Sequence, residues 1–189
     1  EVIEKASNYI EEKISQNKVV FAGQKVKPLS DNQRQQKASE LMPVLRGLCS
    51  SENQMVGHFT DDDKVLSFIN SYDLDRLAPM GTSCPDHFLR TKIQPLIIPL
   101  KPDTDATNVD LLKKELSPSF ENYGRIDKEY YEACTHPNSP PMRDPNPVIL
   151  LYPGVGMFSF AKNKQTARVA AEFYSNAINV MRGAEAISS

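Results

Sequence analysis

The apolar positions of this chain follow a helical period in some stretches and a strand-like run in others. Near the start, six apolar side chains recur at spacings of three and four, which places them on one face of a helix. These are Val2, Ile3, Ala6, Tyr9, Ile10 and Ile14. We expect residues 1–22 to form a helical arm and connector that ends a preceding domain, and residues 23–189 to form a single α/β domain.

Capping residues indicate where the next helices begin. Residues 30–33 read Ser-x-x-Gln, a capping box ahead of the apolar positions in 38–48. Pro43 is expected to kink or restart that helix, because its ring blocks a backbone hydrogen bond. Residues 60–63 read Thr-x-x-Asp and precede the apolar residues of 65–69, which predicts a second capped helix.

Three apolar runs have the length of strands. They span residues 55–59, 96–100 and 148–152, and helical patterns separate them. The run at 96–100 is apolar without interruption, which is typical of a strand that is covered on both faces. The sequence therefore predicts an α/β fold, a three-layer αβα domain with a central mixed sheet.

The second half of the chain predicts further elements. Residues 103–133 carry helix-compatible apolar spacings that we expect to form two helices, broken near Pro118 and Gly124. A turn at 153–156 leads into a short return strand at 157–160. Asn163 is expected to cap the longest helix, and Gly183 to end it.

Composition limits the classes of function. The 189 residues, 40% of them hydrophobic, suffice for one core. Basic residues number 22 and are scattered among 24 acidic ones, so a nucleic-acid or membrane surface is not expected. No apolar stretch approaches the ~20 residues of a membrane span. Three widely spaced cysteines favour reduced thiols and a cytoplasmic location.

Residues 81–92 read GTSCPDHFLRTK and hold the densest group of reactive side chains. Cys84 and His87 have the chemistry of a thiolate–imidazole pair. Catalytic Cys and His usually meet across a fold, however, and not as sequence neighbours. A helix start explains the same residues more simply, with Thr82 or Ser83 as the cap, Pro85 in the first turn and Asp86 at the positive end of the helix dipole.

Neither a metal site nor a nucleotide loop is predicted. The three histidines, His58, His87 and His136, lack metal-ligand spacing. The acidic run 61–63 fits the first turn of a helix, where carboxylates offset the helix dipole. Gly154-x-Gly156 follows an apolar strand, but the third glycine of a dinucleotide fingerprint is absent. A tight turn between two strands is the better interpretation, and the residues alone give no catalytic set.

Three stretches carry a resemblance to a known family. They are residues 81–92, residues 153–158 (PGVGMF) and residues 177–184 (AINVMRGA). Together they resemble the bifunctional rhamnulose-1-phosphate aldolase/short-chain dehydrogenase family over nearly the whole chain. In that family a zinc-dependent class II aldolase part precedes an NAD(P)-dependent Rossmann part that handles lactaldehyde. The chain resembles the region between them, which implies flanking domains as partners and a homo-oligomer.

The resemblance carries no catalytic residue to this chain. The aldolase part needs a His-x-His pair and a further His for zinc, which the sequence lacks. The dehydrogenase part needs a complete glycine fingerprint as well as a Tyr-x-x-x-Lys pair; the fingerprint is absent, and the one such spacing, Tyr9 to Lys13, lies in the N-terminal helical pattern. No metal ligand and no cofactor is therefore expected here. The order strand, turn, strand, helix over 148–182 is also similar to the end of the class II aldolase fold, with Pro153-Gly154 at the position of a metal-binding His next to Gly. The domain would then be a degenerate aldolase-like copy.

Two hypotheses about function follow. In the first, the chain is a non-catalytic middle domain with a structural or oligomerisation role. In the second, the segment from Cys84 to His87, together with Arg90, contributes a phosphate- or aldehyde-binding site to the parent enzyme. The candidate substrate-binding residues of that second hypothesis are Asp86, His87, Arg90, Gly154 and Gly156.

Overall fold

A computed structural model of the protein describes residues 1–16, 20–51, 53–82 and 84–188. Seven α-helices and four strands lie in these ranges. The helices are α1 (Val2–Gln16), α2 (Asp31–Leu48), α3 (Asp63–Ile69), α4 (Leu74–Leu77), α5 (Pro85–Thr91), α6 (Val109–Cys134) and α7 (Lys164–Ser188). The strands are β1 (Val56–Thr60), β2 (Leu96–Ile97), β3 (Ile149–Tyr152) and β4 (Gly156–Ala161). Two 3-10 turns, Val20–Ala22 and Ala78–Met80, complete the regular elements.

The four strands form one mixed sheet in the order β1-β4-β3-β2. β4 pairs antiparallel with both β1 and β3, and β2 pairs parallel with β3. The antiparallel β3–β4 pair is joined by the predicted turn, in which the Val155 N–H donates to the Tyr152 carbonyl at 3.0 Å. The mixed sheet and the return strand are thus confirmed.

Strand β3 explains why its sequence is apolar without interruption. Ile149 and Leu151 point into one hydrophobic cluster, which they share with α3, α4 and α7. Leu150 and Tyr152 point into a second cluster on the other face, formed with α2 and α6. Successive side chains of a strand face opposite ways, so a strand covered on both sides needs apolar residues at every position. The predicted three-layer αβα arrangement is confirmed.

Two helices run through prolines that were expected to break them. α6 is one helix of 26 residues that contains Pro118, so the prediction of two helices is wrong. α2 likewise continues through Pro43. A proline inside a helix costs about 3 kcal/mol, but the buried stripe of α6 stays in phase across it and outweighs that cost by packing. The stripe consists of Leu112, Leu116, Phe120 and Tyr123.

Three expected boundaries are also wrong. Helix α7 passes Gly183 and continues to Ser188, because Gly183 provides close approach to α1 and not a cap: a Cβ there would lie 3.3 Å from Ile10 Cγ2. Asp62, not Thr60, caps α3 by accepting from the Val65 N–H at 2.9 Å. In the 96–100 run only two residues pair in β2. Ile98 still donates its N–H to the Leu151 carbonyl, but Pro153, which would donate back to the Ile98 carbonyl, has no N–H to continue the ladder.

The N-terminal arm lies on the outside of the domain. α1 buries none of its residues and packs along α7. Phe21, by contrast, belongs to the core cluster on the α7 side and is 2% exposed. The boundary near residue 22 stays a prediction. No helix in the described part of the chain has the length and apolar character needed to cross a membrane.

Candidate functional site

The segment that carries Cys84 and His87 begins and ends at neighbouring points of the fold, because Gly81 lies next to Ile93. Gly81 has φ 80°, and a Cβ there would lie 2.2 Å from the Ile93 carbonyl oxygen. Lys92 adopts φ 62° and ψ −174°, a region that residues other than glycine rarely occupy. Its ammonium is held 2.8 Å from Asp127 of α6, and both side chains are largely buried. The residues that flank α5 are therefore held close to each other, and the Lys92–Asp127 ion pair fixes them to α6.

Helix α5 brings two of the candidate residues onto α7. The His87 ring meets Phe173 edge-on at 5.0 Å between centroids, and the Arg90 guanidinium lies 5.9 Å from the same ring. Asp86 and Cys84 face solvent. No hydrogen bond within the described residues joins Cys84 to His87. The segment is thus a short helix, α5, packed on α7, in line with the interpretation of these residues as a helix start.

The start of α5 differs from the expected cap. Cys84 occupies the N-cap position, with an extended backbone and no side-chain cap bond. Thr82 is thus not the cap, and Ser83 lies outside the described residues. Pro85 stands in the first turn as expected, where its missing N–H costs no hydrogen bond.

The second candidate group, the 153–156 turn, is packed inside the protein. The Gly154 N–H donates to Asn70 Oδ1 at 2.6 Å, and its carbonyl accepts from the Leu29 N–H at 2.9 Å. Gly154 has φ 83°, and a Cβ there would lie 2.4 Å from Pro102 Cγ. A Cβ at Gly156 would lie 2.5 Å from the Phe59 ring. Both glycines are therefore needed for close packing of the turn.

Asn70 is a structural residue that sequence reasoning missed. It is 3% exposed and follows the last turn of α3. Its side chain accepts from Gly154, and its carbonyl accepts from the N–H groups of Lys25 and Val26. It thereby ties the connector, α3 and the β3–β4 turn together. Nothing in its local sequence distinguishes it from an ordinary helix-terminal Asn.

Two cavities in the described part of the chain lie elsewhere. The larger has a volume of about 230 Å³ and lies between α3, α7 and Phe21. The smaller lies between α1, α7 and the Val20–Ala22 turn. Neither is lined by the five candidate residues. Arg182 lines both, and Lys64 lines the larger one; the sequence analysis singled out neither, because their approach depends on how α3 packs on α7.

Comparison with known families identifies the domain. The family model described as "Aldolase class II, second domain" matches residues 36–189. The chain belongs to this family. The mixed α/β sheet with helices on both sides is consistent with a class II aldolase-like fold, which confirms the sequence-based expectation at that level.

One curated relative covers almost the whole of this class II aldolase second domain. The chain is 33% identical over 188 residues to "Uncharacterized oxidoreductase YuxG" of Bacillus subtilis (strain 168). The alignment takes in 98% of this chain and 26% of the relative. The chain thus spans about a quarter of that protein's length. No solved structure matched the chain.

The acidic run of this aldolase second domain has structural partners. Asp61 accepts from Arg34 Nε at 3.0 Å, and Asp62 caps α3. Asp63 lies in the first turn of α3. Among the described residues, no three His, Cys, Asp or Glu side chains lie close enough together to hold a metal ion.

His58 is the histidine with the clearest electrostatic environment. It lies on β1, and Lys164 of α7 approaches its Nδ1 at 3.2 Å. Burial lowers the pKa of His58 below its ordinary value of 6.5, and the nearby Lys164 and Arg168 lower it further, against an opposing effect of Glu172. The neutral ring, which accepts from the Lys164 ammonium, is thus the form that the folded protein prefers.

The domain should therefore lose stability as the pH falls through the range just below 6.5. In this window the unfolded chain binds more protons than the folded one, so the free energy of unfolding decreases with falling pH. NMR titration of the His58 ring protons should give a pKa below 6.5, and Lys164→Gln should move it upward. A ring that titrates at or above 6.5 would contradict this assignment.

Proposed function

We propose that this class II aldolase second domain is the non-catalytic middle part of a longer bifunctional enzyme. In that enzyme a zinc-dependent part cleaves rhamnulose 1-phosphate, and an NAD(P)-dependent short-chain dehydrogenase part handles the lactaldehyde product. The middle domain packs against both flanking parts within a cytoplasmic homo-oligomer. It supplies no catalytic group of its own.

The length of the relative supports a multidomain parent. The chain aligns with 26% of a protein that is named as an oxidoreductase. The family model that this chain itself matches is an aldolase second domain. An oxidoreductase name and an aldolase domain in one relative are what a bifunctional enzyme of this kind would present.

The packing of Gly154 is the observation that carries the non-catalytic role. The turn it occupies stands where the similar aldolase fold places a metal-binding His next to Gly. Here Pro153 precedes Gly154, whose N–H is bound by Asn70 and whose Cα lies against Pro102. Pro153, at the position of that His, offers no side-chain nitrogen or oxygen to a metal, and the contacts of Gly154 hold the turn in place. The domain has the aldolase-like sequence of strand, turn, strand and helix over 148–182, with a turn that is packed against neighbouring residues.

The exposed face of α5 supports a second candidate function. Asp86 and Arg90 are exposed, and the buried Nδ1 of His87 has no hydrogen-bond partner within the described residues. A phosphate or aldehyde held between α5 and a flanking domain would give that nitrogen a partner. In this case the segment from Cys84 to Arg90 is a binding site that the parent enzyme completes.

Substitution of His87 separates the two candidates. In the longer protein, His87→Ala should leave both the aldol cleavage rate and the NAD(P)-dependent oxidation rate within about twofold of the unsubstituted enzyme. The only expected loss is about 1 kcal/mol of stability, since the ring contact with Phe173 disappears. The two steps are assayed separately, with rhamnulose 1-phosphate and with lactaldehyde.

His136→Ala is the matched control, because it removes an exposed histidine that lies after the end of α6. A loss of tenfold or more in either step for His87→Ala alone, with circular dichroism and oligomeric state unchanged, would favour the binding site on α5. Zinc bound to this chain in a one-to-one ratio would overturn the non-catalytic role.

A further inference from the structure

The larger cavity has an apolar floor and a polar rim built by two helices. Buried Phe21 and Ile178 form the floor. Lys64 and Ser67 lie three residues apart on α3, and Asn179 and Arg182 lie three residues apart on α7, so each pair shares one helix face. Asp63, next to Lys64, also lines the cavity, so the rim gathers two cations, one carboxylate and two neutral hydrogen-bonding side chains around one opening.

The two cations of this rim have no partner among the described residues. Neither Lys64 nor Arg182 makes an ion pair or hydrogen bond with another described residue, and the Arg182 Nε is shielded from solvent without a partner. The nearest acidic residue on α7, Glu185, is already bound by Arg76 at 2.5 Å. A buried guanidinium nitrogen without a partner is rare in native proteins, and an ion outside the chain is one of its ordinary explanations.

From this arrangement we infer that the cavity is a binding site for a small phosphate-bearing metabolite. The Nε–H and a terminal N–H of an arginine form a fork that fits two oxygens of a phosphate, and a lysine adds a point charge. The volume of about 230 Å³ lies below the ~300–1,000 Å³ of pockets for drug-sized ligands. It suits a phosphate monoester with a few carbon atoms, whose carbon chain would lie on Phe21.

Asp63 on the same rim sets the selectivity of the site. It lines the cavity and carries the charge opposite to the two cations, so it repels a bare phosphate and accepts a hydrogen bond from a hydroxyl group. A hydroxylated phosphate ester therefore fits the rim better than inorganic phosphate does. This site is separate from α5, and its existence does not depend on the role of the domain in a longer enzyme.

Calorimetric titration of the chain at low ionic strength tests the inference with inorganic phosphate and with glycerol 3-phosphate. Glycerol 3-phosphate should bind at least threefold more tightly than inorganic phosphate. Arg182→Gln should weaken both at least tenfold, and Arg182→Lys should weaken both nearly as much because the fork is lost. Asp63→Asn should tighten inorganic phosphate two- to threefold.

Lys162→Gln is the matched control. It removes the same charge from an exposed site before α7, while Arg182 lies 18 residues beyond Lys164 at the start of that helix, about 27 Å along its axis. In case Arg182→Gln does not fold, Ser67→Leu fills the cavity from an exposed position and should abolish binding. Binding of neither ligand at 10 mM, or equal binding by the Ser67→Leu variant, would overturn the inference.

Discussion

Replacement of Gly154 by alanine should destabilise the domain by about 2–5 kcal/mol, a large fraction of the ~5–15 kcal/mol by which folded domains are stable. An L-residue at φ 83° costs about 1–2 kcal/mol. The new methyl group would also lie 2.4 Å from Pro102 Cγ, and such overpacking costs a further ~1–3 kcal/mol. Urea denaturation, followed by circular dichroism, measures the loss.

The effect is large because contacts on several sides of Gly154 prevent the backbone of the turn from shifting to make room for a methyl group. Movement away from Pro102 would break the hydrogen bond from the Gly154 N–H to Asn70 or the one from Leu29 to the Gly154 carbonyl. The loss of either bond would leave a buried polar group without a partner, at ~1–3 kcal/mol. The connector at 24–29, the loop at 102 and the β3–β4 turn would be disturbed together.

Gly47→Ala provides the matched control for Gly154→Ala. Gly47 lies in α2, and a Cβ there would meet nothing within 4 Å. Alanine should stabilise this position by up to ~1 kcal/mol, because it favours the helical backbone. Equal behaviour of the two alanine variants would contradict the role assigned to the turn.

The sequence predicts the fold layers well because they depend on short-range periodicity. β3 is apolar at every position, and this pattern alone indicates a strand with helices on both sides. The same reasoning fails for α6, because the local cost of Pro118 predicts a break between two helices, whereas the four-residue buried stripe continues across it in one helix. Local propensity and tertiary packing compete there, and only the packing partners on the sheet decide the outcome.

The candidate sites are harder to predict because they depend on distances across the fold. Residues 81–92 form a dense group of reactive side chains in the sequence, yet the fold exposes Cys84 and Asp86 to solvent and packs His87 on Phe173. The cavity rim combines residues of α3 and α7 that are remote in sequence. No spacing rule joins Lys64 to Arg182, since each looks like an ordinary cation on an amphipathic helix.

The second large effect is expected at Arg34, where alanine should cost about 2–4 kcal/mol of the free energy of unfolding. Arg34 is 8% exposed and lies in the second turn of α2. Its Nε donates to Asp61 at 3.0 Å, and Nη1 donates to the Leu29 carbonyl at 2.7 Å. Truncation leaves the Leu29 carbonyl without this donor, and it leaves the partly buried Asp61 carboxylate with only the Gln35 amide at 3.3 Å. Loss of one member of a buried ion pair costs several kcal/mol.

A double-mutant cycle with Asp61 separates the cost of an orphaned charge from the net value of the pair. Since Asp61→Ala removes the charge that Arg34→Ala leaves behind, the double variant should be more stable than the sum of the two single losses predicts. Arg125→Ala is the control, because the Arg125–Glu129 pair of α6 is mostly exposed and should contribute less than about 1 kcal/mol. Strictly additive losses in the cycle would show that Arg34 acts through packing of its alkyl chain. A loss of stability at Arg34 no larger than that at Arg125 would refute the stabilising role assigned to the buried Arg34–Asp61 pair.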